Sequence, residues 1–331
     1  MSLLNKPYPS KIKGFVTPQK AKRHAEILSN RIRARFRHLS RKFKKQGIEC
    51  FRLYDWDIPE VRAVVDWYAG HVVVAEYERL QTGPQLLGQM AAAVGETLNV
   101  PPDRIHIKRR HTQTKEGPRY TPLNSRGERL QVHERNLRFW VNLDDFLDTG
   151  LYSDHRNTRL IVEKLALGQD FLNLYAYTGA FTCAAAAGRA NATTTVDRSG
   201  MYIKWAQDNL KLNGLNGPQH VFIQSDVDKY LARAQREKRR FTLAFVDPPS
   251  FFQDRSQNVS FDINHDHPEL IRNVLKVMAP GSFVFFSTNH QRFAPRLDDL
   301  PVKDLIELTP KTIPEDYRNR QIHRSWQMTV L

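Results

Sequence analysis

Residues 170–197 read DFLNLYAYTGAFTCAAAAGRANATTTVD. An apolar and aromatic run comes first, then a Tyr-Thr-Gly turn, a stretch of small residues, and a β-branched run that closes on Asp197. Apolar runs without strict alternation suit strands covered on both faces. Strand, helix and strand in succession make the unit from which parallel sheets are built. The rhythm continues toward the C-terminus. MYIKWAQDNLKLNG predicts a helix ending near Gly214, HVFIQSD a strand, VDKYLARAQREK a helix and FTLAFVD a strand. The loop PPSFFQDRSQNVSFD follows, then the helix HPELIRNVLKVMAPG and the strand SFVFFST; DLIELTP and HRSWQMTVL add two more strands. Residues 151–331 therefore predict an α/β domain around a doubly wound parallel sheet.

Upstream the character changes. IECFRLYDW, HVVVAEY, RIHIKRRH, LQVHE and LRFWVNL are short β-rich segments, interrupted by a helix from Pro84 to about Leu98. HTQTKEGPRYTPLNSRGE reads as a long loop. Residues 48–150 thus predict a small α+β domain for RNA or substrate. Residues 1–47 predict a basic helical arm. Positions 20 to 45 hold eleven Lys and Arg and one acid, Glu26, while Leu28, Ile32, Phe36, Leu39 and Phe43 recur at spacings of three and four. That stripe packs one face and turns Arg31, Arg33, Arg35, Arg37, Arg41, Lys42, Lys44 and Lys45 outward. A merely solvated helix usually mixes signs into i,i+4 pairs. The scarcity of acids points instead to a phosphate-gripping surface.

The whole chain leans the same way. Fifty Lys and Arg oppose 35 Asp and Glu, a net charge of +15, and such a surface attracts polyanions. Two cysteines, Cys50 and Cys183, exclude a disulfide framework or a zinc ribbon. The sequence shows neither an apolar run of about eighteen residues nor the apolar core of a secretory signal. The expectation is a cytoplasmic protein with no membrane contact.

In open α/β sheets ligands bind beyond the carboxyl ends of the strands, so the residues that close each strand carry the chemistry. The first strand closes on Tyr175-Ala176-Tyr177-Thr178-Gly179, where glycine permits close backbone approach. The second closes on Asp197, an acid placed to take both hydroxyls of a ribose. The third closes on Ser225-Asp226 and the fourth on Asp247-Pro248-Pro249-Ser250-Phe251. The glycine turn is not the GxGxxG of dinucleotide enzymes, and no GxxxxGK[ST] phosphate loop occurs, which counts against NAD and ATP.

This order of strand ends is similar to that of the class I S-adenosylmethionine-dependent methyltransferases, whose fold is Rossmann-like. The resemblance implies S-adenosylmethionine as cofactor. It places the methionine portion at Tyr177 to Gly179 beside Tyr175, the ribose at Asp197 with Arg198 and Ser199, and the adenine at Asp226 with Val227. It puts Asp247, Pro248, Pro249 and Phe251 beside the target base. FLNLYAYTGAFTCAAAAG, TTTVDRSGMYIKWAQDNLKLNGL, FVDPPSF, GIECFRLYDWDIPE, WVNLDDFLDTGLYSDHR and RNRQIHRSW further resemble the bacterial 23S ribosomal RNA guanine-N7 methyltransferases, which in some bacteria form the C-terminal half of a bifunctional enzyme. That likeness covers most of residues 47–331 and implies that Tyr152, Asp154 and Arg156 lie near the cofactor. It also implies 23S ribosomal RNA, or a large-subunit assembly intermediate, as partner. About fifty residues precede it here, so a single methylation is expected, with the basic arm sharing in the RNA contacts.

The residues discriminate among target atoms. Pyrimidine carbon-5 requires a cysteine thiolate to add to the ring. The position after the fifth strand, where relatives that modify cytosine carry that cysteine, reads Ser287-Thr288-Asn289-His290, and Cys183 lies among alanines as a small core residue. A cytosine carbon-5 enzyme is therefore the weaker reading. Guanine N7 presents its lone pair in the ring plane and needs no base. There Asp247 would place the purine edge or offset the charge formed on it, and Phe251 would stack on a flipped base or pack under its loop. An exocyclic amine also fits, since Asp247 could accept its hydrogen. His155 and His290 receive no role, and His265 and His267 beside Asp266 lack further ligands, so no metal is expected. The remaining alternative is an inactive RNA-binding assembly factor, against which the intact set of Asp197, Asp226 and Asp247-Pro-Pro argues.

Overall fold

The computed structural model describes residues 16–78, 86–111, 124–254 and 259–331. The chain divides into two compact units, one of residues 1–136 and 141–149, the other of residues 137–140 and 150–331.

In the first unit, helix α1 (Pro18–Lys45) begins at Thr17, whose hydroxyl accepts the Lys20 amide. Strands β1 (Cys50–Asp55), β2 (Ala63–Tyr68), β3 (His71–Glu78) and β4 (Ile105–His111) form a sheet in that order. The first two pairings are antiparallel and the last parallel. Helix α2 (Leu86–Leu98) lies between β3 and β4 in sequence. The sequence stripe on α1 does what its periodicity predicts. Leu28, Ile32, Leu39 and Phe43 enter one core with Leu53, Val65 and Val72 of the sheet and Leu87, Met90 and Val94 of α2. Strand β5 (Leu130–Glu134) follows. Most of the long loop expected over 111–128 lies outside the described residues.

The second unit takes in most of β6 (Leu137–Val141) and then alternates as the sequence predicts: α3 (Arg156–Leu165), β7 (Asp170–Leu174), α4 (Ala180–Ala187), β8 (Ala192–Asp197), α5 (Gly200–Leu212), β9 (His220–Gln224), α6 (Val227–Arg236), β10 (Phe241–Val246), β11 (Phe251–Asp254), β12 (Val259–Asp262), α7 (Ile263–Leu275), β13 (Met278–Thr288), β14 (Val302–Glu307), α8 (Thr309–Thr312) and β15 (Arg324–Val330). Seven strands pair in the order β14-β15-β13-β10-β7-β8-β9. The five from β13 to β9 are parallel, and β15 runs antiparallel to both its neighbours, β13 and β14. This is the Rossmann-like α/β architecture expected. Side chains alternate across it: Leu172, Leu174, Ala244, Val246, Val284 and Phe286 pack with α6 and α7, while Phe171, Leu243, Phe245 and Phe285 pack with α3 and α4. The small residues of α4 allow close approach, for a Cβ on Gly188 would lie 2.0 Å from the Glu163 carbonyl oxygen of α3.

Three local expectations differ from what is found. Residues 251–262 pair as an antiparallel hairpin, Phe252 opposite Phe261, where a loop was expected. Helix α7 stops at Leu275, and Met278–Gly281, read as its end, already belong to β13. Strand β7 ends at Leu174 because Tyr175 turns to a φ of 54°. Among the described residues no helix is long and apolar enough to cross a membrane.

Candidate active site

The chain winds outward from β7 through β8 to β9, then returns to place β10 on the other side of β7. That reversal opens a crevice at the carboxyl ends of β7 and β10, where the candidate residues gather.

The turn after β7 is held in an unusual backbone conformation. Tyr175, Tyr177 and Gly179 have φ of 54°, 51° and 72°. Non-glycine residues adopt positive φ rarely, so the surroundings must impose it, and several contacts do. The Tyr177 amide donates to Asp197 Oδ2 at 2.9 Å. The Thr178 hydroxyl donates to the Gly150 carbonyl at 2.6 Å, and Asn209 of α5 donates to the Thr178 carbonyl at 2.8 Å. Gly179 allows α5 to close in, since a Cβ there would lie 2.5 Å from the Ala206 Cβ. Tyr177 rests edge-on to Tyr202 and 5.1 Å from the ring of Tyr152.

Asp197 is the hinge between this turn and α5. Its Oδ2 accepts from Tyr177 and its Oδ1 from the Ser199 amide at 2.8 Å. Each oxygen keeps a lone pair for a further donor, so the carboxylate suits a ligand with two adjacent hydroxyls. Burial pushes its pKa up to about 6, against the pull of those amides. Ser199 caps α5 and Arg198 lies over the Phe252 ring at 5.0 Å. Asp226 caps α6, accepting the amides of Asp228 and Lys229, and the Val227 side chain is in the core.

Asp247 follows β10. Its side chain is 27% exposed, so the carboxyl lies deep yet faces the crevice. Burial first, and the Asp154 carboxylate second, push its pKa up to about 7, with His323 pulling the other way. Pro248 is buried, and Ser250 donates to Asn289 Oδ1 at 2.9 Å, tying the Pro-Pro turn to the end of β13. Phe251 opens β11 and is 58% exposed, an uncommon position for a large apolar ring.

Beside Asp247 lies a cluster that sequence reasoning did not assemble. His155 Nε2 is 3.7 Å from both Asp154 Oδ2 and Asp247 Oδ2. His323 Nδ1 is 2.9 Å from Asp154 Oδ2, its Nε2 is 3.1 Å from the Thr312 hydroxyl, and its ring stacks on His155 with centroids 4.2 Å apart. Burial, and then His323, push the His155 pKa down to about 3. Asp154, His155 and His323 offer ligand atoms within 4.8 Å of one another. The rings, however, are parallel to within 13°. Their in-plane lone pairs run side by side and do not converge on one ion at about 2 Å. The cluster is therefore read as hydrogen-bonded, not metal-binding. Arg156, expected near a ligand, is buried and pairs with buried Asp316 at 3.0 Å. His265 pairs with Asp266, whereas His267 is bonded to the Ile263 carbonyl and the Arg296 amide, so the two do not share a centre.

Of the eight cations expected on α1, Arg31 binds Asp57 at 2.7 Å and Arg35 is half-buried, while Arg33, Arg37, Arg41, Lys42, Lys44 and Lys45 are exposed. Cys50 and Cys183 are buried thiols, and burial pushes the Cys183 pKa up to about 12.

A family model described as S-adenosylmethionine-dependent methyltransferase matches residues 54–303. Among solved structures, SMU.776, described as a methyltransferase and complexed with SAH, is 21% identical; the match covers 94% of this chain and 82% of that one at a TM-score of 0.75. A Streptococcus mutans protein described as a SAM-dependent methyltransferase matches at 21% identity, covering 92% and 81%, with a TM-score of 0.74. aTrm5, solved in complex with tRNALeu, matches at 14% identity over 78% and 70% of the chains, with a TM-score of 0.52. At these identities the likeness is one of fold.

Proposed function

The chain belongs to the S-adenosylmethionine-dependent methyltransferases, and we propose that within that family it makes 7-methylguanosine in 23S ribosomal RNA. Its cofactor is S-adenosylmethionine, which supplies an electrophilic methyl group on a sulfonium. The residues present fit that cofactor: Asp197 keeps two free lone pairs for ribose hydroxyls, and the Tyr175–Gly179 turn is held open by contacts of its own. In this reading Asp226 and the Val227 amide meet the adenine, and Tyr152 with Tyr177 flanks the methionine portion.

The observation that carries the reading is the pairing of Asp247 with an exposed Phe251 at the mouth of the crevice. An aromatic ring that is 58% exposed is a platform for an unstacked base, and a carboxyl group a few residues away can hold that base by its edge. The chemistry then needs alignment and exclusion of water more than proton removal. RNA as the polyanion is supported by the net charge of +15 and the exposed cations of α1. It is supported as well by the shared fold of aTrm5, which was solved with tRNA. Carbon-5 chemistry is disfavoured because both thiols are buried and Cys183 resists ionisation. A guanine exocyclic amine is the second reading, favoured by the same carboxyl group if it acts as an acceptor.

The test is chemical. Ribosomal RNA treated with the protein and cofactor, then reduced and exposed to aniline, breaks at 7-methylguanosine, and RNA treated without the protein serves as the reference. New strand breaks in the large-subunit RNA are expected. RNA that gains methyl groups without gaining breaks would overturn the N7 assignment.

A further inference from the structure

The Asp154–His155–His323–Asp247 cluster has a charge problem whose solution bears on base choice. Two carboxyl groups face one imidazole edge, each 3.7 Å from His155 Nε2. His155 cannot supply a balancing cation. It is buried between the edges of Phe181 and Phe245 and against the His323 ring, and its Nδ1 has no hydrogen-bond partner. Two carboxyl groups so placed do not both ionise readily. The remaining contacts decide which one does. Asp154 receives His323 at 2.9 Å, and His323 is held from its far side by Thr312. Hydrogen bonds to a carboxylate favour its charged form.

Resting on the function proposed above, we propose that Asp154 and Asp247 carry one negative charge between them, pinned on Asp154 by His323, so that Asp247 meets the target base as a neutral hydrogen-bond donor to guanine O6. Guanine presents only acceptors, N7 and O6, on this edge, whereas adenine places an amino donor where O6 would be. A carboxylate would repel the guanine edge. A carboxylic acid donates to O6 and leaves the N7 lone pair free. Asp247 is thus the group that holds the guanine edge, and Asp154, His155 and His323 are positioning residues that set its form. An acid kept neutral by its surroundings so that it can donate is established enzyme chemistry. The other groups around the site do not undo the arrangement. Arg159 of α3 lies near His155 and further disfavours charge on it. Arg156 is paired with Asp316, and His323 with Ser287 of β13 pull the Asp247 pKa down by less than burial and Asp154 push it up.

The experiment is a pH–rate series with saturating cofactor, in which each product nucleoside is identified by mass. The parent, Asp247→Asn, Asp247→Ala and Asp154→Asn are compared, with thermal unfolding as a check on folding. The parent rate should fall as pH rises through about 7, where Asp247 loses its proton. Asp247→Asn keeps a donor that cannot ionise. It should retain at least a tenth of the parent rate at pH 6.5 and lose the alkaline fall, while Asp247→Ala is at least a hundredfold slower. Asp154→Asn removes the neighbouring charge and should move the alkaline fall down by about one pH unit or more; a structural role would lower the rate without moving it. A parent rate that climbs through pH 7, with Asp247→Asn as slow as Asp247→Ala, would overturn the inference. If the product in that case is 7-methylguanosine, the proposed function stands and only the donor role fails. A methylated amine as product would remove the N7 reading itself.

Discussion

Replacing Asp197 by Asn separates binding from folding at the cofactor site. Both carboxylate oxygens accept a backbone amide, Tyr177 at 2.9 Å and Ser199 at 2.8 Å. A carboxamide has one acceptor oxygen, so one of those buried N–H groups must face an NH2. An unpaired buried donor costs about 1–3 kcal/mol. The ribose hydroxyls would also lose a charged acceptor, about 1 kcal/mol for each of two bonds, or about thirtyfold in affinity at about 1.4 kcal/mol per decade. Against this, the folded chain no longer ionises a buried acid. Moving that acid from 3.8 to about 6 costs about 3 kcal/mol at neutral pH. The sign follows from linkage: the penalty is absent below pH 3.8, grows between 3.8 and 6, and is complete above 6. The cofactor-free variant should therefore be no less stable than the parent at pH 7.5, and less stable at pH 4. Isothermal titration with S-adenosylmethionine should show a Kd at least thirtyfold higher at pH 7.5. The parent Kd should also rise about tenfold per pH unit as pH falls below about 6, while the variant stays flat. A variant that binds the cofactor within threefold of the parent would refute the role given to Asp197.

Three further outcomes are expected. Phe251→Ala should lower the methylation rate about tenfold to a hundredfold, as loss of a base-stacking ring costs about 1–3 kcal/mol; cofactor Kd and the unfolding midpoint should hardly change, because the ring is exposed. Changing Arg33, Arg37, Arg41 and Lys44 to Ala should weaken RNA binding and make the log–log salt dependence shallower by about 3, the effect of losing four phosphate contacts, as read by filter binding across salt concentrations. Cys183→Ala should retain full methylation in a radiolabel assay and cost on the order of 1 kcal/mol of stability for one buried sulfur.

The parts of the fold legible in the sequence are those written locally. Strand β7, helix α4 and strand β8 follow from uninterrupted apolar runs around a glycine turn. The packed face of α1 follows from Leu28, Ile32, Leu39 and Phe43 at helical spacing. The acids that close β8 and β10 were legible as strand ends, and both lie at the crevice. What was not legible depends on distance or competition. Phe251–Asp254 and Val259–Asp262 hold too few apolar residues to outweigh the prolines and polar residues around them, and only their pairing makes them strands. Helix α7 gives way after Leu275 because Met278 pairs with Phe241 of β10, a contact from another part of the chain. The same limit hid the site's inner cluster. Asp154 meets His323, and Arg156 meets Asp316, across more than 150 residues of sequence, and no spacing rule links them. The resemblance implies Asp154 and Arg156 as cofactor neighbours; the structure adds that Asp154 bonds His323 and Arg156 pairs with buried Asp316.

The central claim is the identity of the methylated atom. Large-subunit ribosomal RNA, both naked and in assembly particles, would be incubated with the protein and isotopically labelled S-adenosylmethionine, digested to nucleosides and resolved by mass spectrometry. Label in 7-methylguanosine is the predicted result. Label in a methylated exocyclic amine or in 5-methylcytidine, or no label in either RNA form from protein that binds the cofactor, would contradict it.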